Sequence, residues 1–264
     1  MSWKVIQASV IGASHAIRGE PCQDECAAAT FPVACGEECF VALVSDGAGS
    51  AIRGGRGAMV VCETGIRVIG EWVSQAKSLS ALSPEVMADW VDTIRYDLWL
   101  ASRAESLLPR DYACTLLGAV IGGNNAAFFQ VGDGAIVINE GDGFLPVFWP
   151  DSGEYANMTY FVTDEDALSN LHSEVHPAAP AEVAVFSDGI QRLALVYQTR
   201  EVHKPFFEPM FARLRQANND ECDELSEQLA RFLASPSINE RTDDDKTLVL
   251  ATRLNADANP QRNI

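Results

Sequence analysis

Three apolar segments of this chain end in Asp-Gly: VALVSDGAGS from Val41, VAVFSDGI from Val183 and, more loosely, FFQVGDGAIVI from Phe128. Short β-branched and aromatic runs with such punctuation predict buried strands. A buried strand that closes on a carboxylate is costly unless the acid leaves the sheet or meets a positive charge. Asp-Gly is also a common hairpin signal, so turn chemistry alone accounts for any single occurrence. At Asp46-Gly47 and Asp188-Gly189 the glycine is expected to let the backbone turn sharply out of the sheet. Asp142-Gly143 reads as a turn only, whereas Asp133-Gly134, with strands on both sides, fits either reading.

The remaining periodicity surrounds these strands with helices. Residues 3–10 and 39–45 read as strands, and Val61, Gly65, Val68, Ile69 and Trp72 recur at helical spacing. Ser83-Pro84 offers a helix start, followed by the stripe Met87, Trp90, Val91, Ile94 and Leu98. Residues 112–121, 126–131, 134–139 and 144–149 read as a meander turning at Asn124-Asn125 and Asp142-Gly143. A strand fits 181–187, a helix 219–234 with Leu225, Leu229, Phe232 and Leu233 on one face, and a last strand TLVLATRL. The polar tail 255–264 is expected to be disordered. Residues 150–180 read as a long irregular insertion with a short capped helix near Thr163, the pattern of a lid or binding loop. Paired helices and meandering strands predict an α+β fold.

Hydrophobic residues make up 47% of the 264, enough for a sizeable core in one continuous domain. No apolar run reaches the roughly 20 residues that span a bilayer. The opening MSWKVIQASVIG lacks a signal peptide's cationic and apolar blocks, so a cytoplasmic protein is expected. The net charge of −18 disfavours nucleic-acid and anionic-membrane partners. It permits a phosphorylated substrate where bound cations invert the field locally. Among the seven cysteines, Cys22/Cys26 and Cys35/Cys39 form Cys-x3-Cys pairs, looser than the usual zinc knuckle and without a nearby histidine ligand. Reduced thiols are expected, with Cys62 and Cys114 as core residues.

Besides Asp46 and Asp188, the segment DDDKT (243–247) leads into the last strand, and Gln23-Asp24 follows a short loop after the first. Carboxylates gathered at strand ends need cations, and oxygen-only ligands select Mg²⁺ or Mn²⁺ over zinc. Two such ions can lower the pKa of a bound water and clamp a phosphoryl group without a serine or cysteine nucleophile. Other phosphatase designs fit poorly. Cys62 and Arg67 are one residue too close for a Cys-x5-Arg loop and sit in a predicted helix. His15, His172, His176 and His203 form no metal-binding pattern, and no Walker loop is present.

In order, QD at 23–24, SDGAGS at 45–50, ACTLLGAV at 113–120, VGDG at 131–134, SDGI at 187–190 and DDKT at 244–247 resemble the type 2C metal-dependent protein phosphatases. The resemblance spans about Val5 to Leu254 and is closest to short bacterial members with a Gln-Asp first motif; GEYANMT, TDEDA and NERTDDDKT strengthen it. It implies a four-layer α-β-β-α sandwich, two central antiparallel sheets flanked by helix pairs, as a single phosphatase domain over 1–254. It implies hydrolysis of phosphoserine and phosphothreonine by a water or hydroxide bridging two Mn²⁺ or Mg²⁺ ions, with a third ion in bacterial relatives. Carried over by motif, Asp46 would bridge two metals and the Gly47 carbonyl would add a ligand. Asp188 and Asp244 would bind the first metal, Asp24 would be the second-metal acid, and Asp133 would contribute to the third. Aligning Thr247 with the family's threonine selects Asp244 over its neighbour Asp245, and 150–180 corresponds to the variable flap.

Two positions depart from the family pattern. Gly19 stands where many members carry a phosphate-holding arginine, leaving Arg18 one residue away as the substitute. Ala48 stands where eukaryotic relatives have a histidine that serves as candidate general acid, with His15 the nearest alternative in sequence. The implied partners are phosphoprotein substrates and an opposing serine/threonine kinase. The other class to weigh is a non-catalytic phosphatase-like module that binds phosphoproteins or regulates a partner; it would be marked by lost metal carboxylates, and all are present.

Overall fold

The computed structural model describes residues 2–33, 36–76, 78–141, 143–150 and 159–254. The chain opens with β1 (Lys4–Val10), a short helix α1 (Ala13–Arg18) and the antiparallel pair β2 (Asp24–Pro32) and β3 (Glu38–Asp46). Helices α2 (Gly54–Gln75) and α3 (Pro84–Ala104) follow. The middle holds β4 (Leu116–Ile121), β5 (Ala126–Val131), β6 (Ala135–Asn139), β7 (Phe144–Pro146), β8 (His172–His176) and β9 (Glu182–Phe186). Then come α4 (Asp188–Ala194), the small ribbon β10 (Leu195–Val196) and β11 (Glu201–Val202), α5 (Lys204–Gln216), α6 (Cys222–Leu233), α7 (Pro236–Asn239) and β12 (Lys246–Thr252).

Two five-stranded antiparallel sheets form the centre. Sheet one runs β1-β12-β9-β6-β7 and sheet two runs β2-β3-β4-β5-β8. Their central strands are apolar on both faces, because each sheet is covered twice. In β3, Phe40, Ala42 and Val44 face the other sheet, and Val41 and Leu43 face α2 and α3. In β12, Val249 and Ala251 face the other sheet, and Leu248 and Leu250 face the layer of α4, α5 and α6. The period of two therefore splits one continuous apolar run between two cores. Trp3 stacks on Phe40 with ring centroids 4.8 Å apart, joining the sheets near the start of the chain. The result is the expected α+β sandwich of helices, two antiparallel sheets and helices.

Local chemistry explains the clearest element boundaries. Ser83 caps α3, its Oγ accepting from the Val86 N–H at 3.4 Å, with Pro84 in the first turn, where a missing N–H costs nothing. The predicted stripe Met87, Trp90, Val91, Ile94 and Leu98 is buried throughout.

Several expectations change. The middle strands are not one meander: β4 and β5 form a hairpin, but the chain then crosses from sheet two to sheet one, so β5 and β6 never pair. The strand expected at 112–121 starts at Leu116, because Pro109–Tyr112 forms a 3-10 turn, and the strand at 144–149 stops at Pro146. Phe232 lies off the buried face of α6 and is 42% exposed, while Leu225, Leu229 and Leu233 are buried. The insertion is less irregular than expected, since His172–His176 is the edge strand of sheet two. The helix foreseen near Thr163 is a 3-10 turn at Ala167–Asn170. Helix α5 is an addition to the expected elements; Pro205 falls in its first turn and Pro209 inside it. Asp142 of the second hairpin turn, Gly153–Met158 of GEYANMT, Cys35 and the tail from Asn255 lie outside the described residues.

Phe128 is fully buried in the core between the sheets. Phe128→Ala is expected to lower unfolding free energy by about 3–5 kcal/mol in chemical denaturation. A loss under about 1 kcal/mol would mean that the intersheet core is not packed as described.

Candidate metal centre

The acidic residues converge because three separate strand ends meet. Asp24, the first residue of β2, pairs directly with Asp46, the last of β3, so the β2–β3 register makes them neighbours. The Asp46 N–H donates to Thr115 Oγ1 at 3.0 Å, and its carbonyl accepts from the Thr115 N–H at 2.8 Å. These bonds tie the end of β3 to the chain entering β4. Asp188 follows β9 as the first residue of α4, and Asp133 sits in the crossover between the sheets. Asp46, Asp133 and Asp188 each bring a carboxylate oxygen within 4.8 Å of the other two.

Glycine acts differently at these positions than the sequence suggests. Gly47 and Gly189 do not adopt left-handed backbone; they permit close approach. A Cβ on Gly47 would lie 2.3 Å from the Gly54 carbonyl carbon at the start of α2, and one on Gly189 1.9 Å from the Asp245 carbonyl oxygen. Gly132 and Gly134 are left-handed, with φ of 99° and 98°, and they turn Asp133 out at the sheet-to-sheet crossover. The VGDG segment is thus a crossover and not a hairpin.

The remaining candidates divide. Asp24 is buried, with Oδ2 accepting from Ser187 Oγ at 2.6 Å and Oδ1 lacking any donor. Asp244 is exposed, close enough for its charge to act on Asp133 and Asp188. Its neighbour Asp245 is buried and saturated: Oδ1 accepts from the Gly12 N–H at 2.6 Å, and Oδ2 accepts from the Gln23 N–H at 2.6 Å and contacts His15 Nδ1 at 2.8 Å. His15 is therefore committed to Asp245. Arg18 does not join the cluster; half-exposed at the end of α1, its Nε donates to Glu20 Oε2 at 2.7 Å. Sequence reasoning missed the residues that brace the acids: Ser187, Thr115 and Thr159, whose Oγ1 donates to Asp133 Oδ2 at 2.8 Å. Ser187 immediately precedes Asp188 and Thr115 lies within ACTLLGAV, but hydroxyls at strand ends carry no distinctive pattern.

Electrostatics mark the cluster as short of positive charge. Burial, reinforced by neighbouring carboxylates, pushes Asp188 up to about 7. Burial raises Asp24 to about 6 against the pull of its Ser187 and Thr247 hydrogen bonds. Asp46 rises well above the carboxylate range through burial and the charges of Asp24 and Asp188, and burial also raises Asp133. Asp188 Oδ1, like Asp24 Oδ1, is buried with no donor. Glu182 shows what a buried acid looks like when the protein satisfies it. It is held by Arg215 at 2.8 and 2.6 Å, by Asn139 at 2.9 Å and by Thr252 at 3.0 Å. Oxygen-only donors, orphaned oxygens and mutual repulsion fit a site for hard divalent cations. Burial pushes the Cys39 and Cys114 thiols up to about 12, so these two stay protonated and compete for no hard cation.

The profile of the family described as Protein phosphatase 2C matches residues 11–234. A curated relative, Serine/threonine-protein phosphatase 3 of Escherichia coli (strain K12), is 41% identical over 251 residues, covering 95% of this chain and 98% of its own. The chain belongs to the protein phosphatase 2C family. Similar folds among solved structures include a bacterial serine phosphatase, at 12% identity and a TM-score of 0.62, with 96% of this chain and 99% of that one covered. Another is the catalytic domain of the serine threonine protein phosphatase PstP, solved with two manganese ions. It has 14% identity and a TM-score of 0.60, with 95% of this chain and 97% of that one covered.

A pH dependence follows from the raised acids of this family member. Each binds its proton more tightly in the folded than in the unfolded chain, so the cluster's contribution to stability is fully present below about pH 4 and is lost as pH rises through about 7. In a chelating buffer, the melting temperature is expected to drop across that window, and Asp188→Asn should flatten the drop. Parallel pH profiles for the two proteins would remove the cluster as the cause.

Proposed function

We propose that the chain is a metal-dependent protein phosphatase that hydrolyses phosphoserine and phosphothreonine, with one phosphatase domain spanning residues 1–254. The observation that carries this reading is the meeting of Asp46, Asp133 and Asp188 within 4.8 Å in a protein phosphatase 2C family member. Bound Mn²⁺ or Mg²⁺, two ions and in a fuller site three, supplies an activated water near neutral pH and charge to clamp the phosphoryl oxygens.

In this reading Asp46, the Gly47 carbonyl and Asp24, together with Asp188, Asp244 and Asp133, would hold the ions, with Asp46 placed to serve more than one of them. The burial of Asp245, with both oxygens engaged by the Gly12 and Gln23 N–H groups and by His15, supports the exposed Asp244 as the ligand of the pair. Thr115 and Ser187 orient Asp46 and Asp24 before any ion arrives, so little reorganisation accompanies binding. No histidine follows Asp46, and His15 is held by Asp245, so leaving-group protonation falls to solvent at the site. Among the described residues no helix is long and apolar enough to cross a membrane. With the acidic surface, this supports a cytoplasmic enzyme acting on phosphoproteins, opposed by a serine/threonine kinase and binding neither nucleic acid nor membrane.

Turnover of p-nitrophenyl phosphate and of a phosphothreonine peptide is expected to require Mn²⁺ or Mg²⁺, to stop in EDTA and to survive thiol-blocking reagents. Asp46→Asn should lower kcat by a factor of about 10³ or more while the fold persists by circular dichroism. Full activity of this variant, or of wild type in EDTA, would refute the mechanism. A folded wild type inert with every divalent metal would instead favour a phosphoprotein-binding module.

Arg18 provides a separate measurement. Because it is engaged by Glu20 at the surface, Arg18→Ala should change KM for the phosphopeptide by less than about threefold. A rise of about tenfold or more would return Arg18 to the phosphate-binding role that its sequence position suggests.

A further inference from the structure

The two helix layers are built differently. Helices α2 and α3 pack along each other, with Trp72 and Trp90 edge to face at 5.4 Å between ring centroids. Helices α5 and α6 pack on sheet one but barely approach each other. Between them, closed at one side by α7, lies a groove of about 590 Å³. Ile6, Met210, Leu225 and Leu229 line it, together with Phe206 and Phe232, whose rings lie 6.3 Å apart. This size suits a small apolar ligand, whereas a docked protein helix needs a longer trough.

The charge of the groove runs against that of the chain. Acidic residues outnumber basic ones 37 to 19 overall, yet the lining contains no Asp or Glu and includes Arg213, Arg241 and His203. Arg213 is occupied by Glu221 at 2.9 Å, and His203 Nδ1 is held by the Leu193 carbonyl at 2.9 Å. Arg241 makes no ion pair among the described residues. An apolar trough with one uncommitted guanidinium matches a ligand with a hydrocarbon chain and a single anionic head.

We propose that this groove binds a single-chain carboxylate amphiphile, its tail along the Met210, Leu229 and Phe232 wall and its carboxylate on Arg241. The site shares no residue with the carboxylate cluster, so it stands or falls apart from the phosphatase reading.

Isothermal titration of the intact protein with dodecanoate tests the assignment. One equivalent should bind per chain, while dodecyltrimethylammonium, with the same tail and the opposite charge, should not bind. Arg241→Glu is expected to weaken dodecanoate binding by about tenfold or more, the loss of a charge-assisted pair. Gln228→Trp, a bulky substitution at an exposed lining position, should weaken it by obstructing the groove. Unchanged circular dichroism and p-nitrophenyl phosphate turnover in both variants would confirm that they are folded. Absence of dodecanoate binding, equal binding of the cationic amphiphile, or full affinity in Arg241→Glu would overturn the proposal. Binding of an acidic amphipathic peptide in place of dodecanoate would reassign the groove to a protein partner.

Discussion

Mutual repulsion among Asp24, Asp46, Asp133 and Asp188 is the interaction around which the rest of the structure is arranged. Two unit charges about 4 Å apart repel by about 4 kcal/mol at the effective dielectric near a protein surface. The buried Lys246, its Nζ donating to the Asp244 carbonyl at 3.0 Å, offsets part of this; the rest is tolerated because the acids are fixed by elements with independent reasons to be where they are. The β2–β3 register sets Asp24 against Asp46, and two buried cores hold that register. Ser187 donates to Asp24 and accepts from the Thr247 N–H at 3.0 Å, so one hydroxyl links an acid of sheet two to two strands of sheet one. The site is a seam between the sheets, and the stability of the apolar cores offsets the strain of the seam.

Adjacent acids meet opposite fates at Asp244 and Asp245, and the cause is geometry one residue apart. As the chain enters β12, Asp245 turns inward onto the N–H groups of Gly12 and Gln23 and the ring of His15. It thereby fastens the segment between β1 and β2, which leads into Asp24, to the last strand. Asp244 faces outward, its Oδ1 accepting only from the next N–H, at 2.9 Å. A carboxylate that is fully hydrogen-bonded organises the fold, and one left open is available for a cation. The same contrast separates Glu182 from Asp188.

Much of this was legible in the sequence, and the unread parts share a cause. Continuous apolar runs marked β3, β9 and β12, and the Ser83-Pro84 cap marked α3, because burial and capping are local signals. The Asp-Gly motifs singled out Asp46, Asp133 and Asp188, whose carboxylate oxygens the fold brings within 4.8 Å of one another. Pairing partners were not legible: nothing within VGDGAIVI says that β6 leaves its hairpin neighbour for the other sheet. The glycine argument was right about which residues and wrong about why. At Gly47 and Gly189 the constraint is a neighbouring backbone distant in sequence, which no local turn rule detects. Helix α5 was obscured by Pro205 and Pro209, since the penalty for proline is read locally while the apolar face that compensates, Phe207, Phe211 and Leu214, acts only once sheet one is present.

The acidic surface also bears on how a phosphate could reach such a site. Arg18, Arg53, Arg67, Arg213 and Arg231 each face a carboxylate of the chain itself, with Glu20, Glu105, Asp97, Glu221 and Glu227 as partners. Exposed pairs of this kind add little stability, but they consume the cations that would draw in a phosphorylated substrate. Long-range attraction by the bare protein is therefore weak, and a dianionic phosphate approaching the unloaded cluster would meet further negative charge. In the phosphatase reading, divalent ions held by the cluster would reverse the local field. At a net charge of −18, binding metal and becoming able to bind phosphate would, in that reading, amount to a single event.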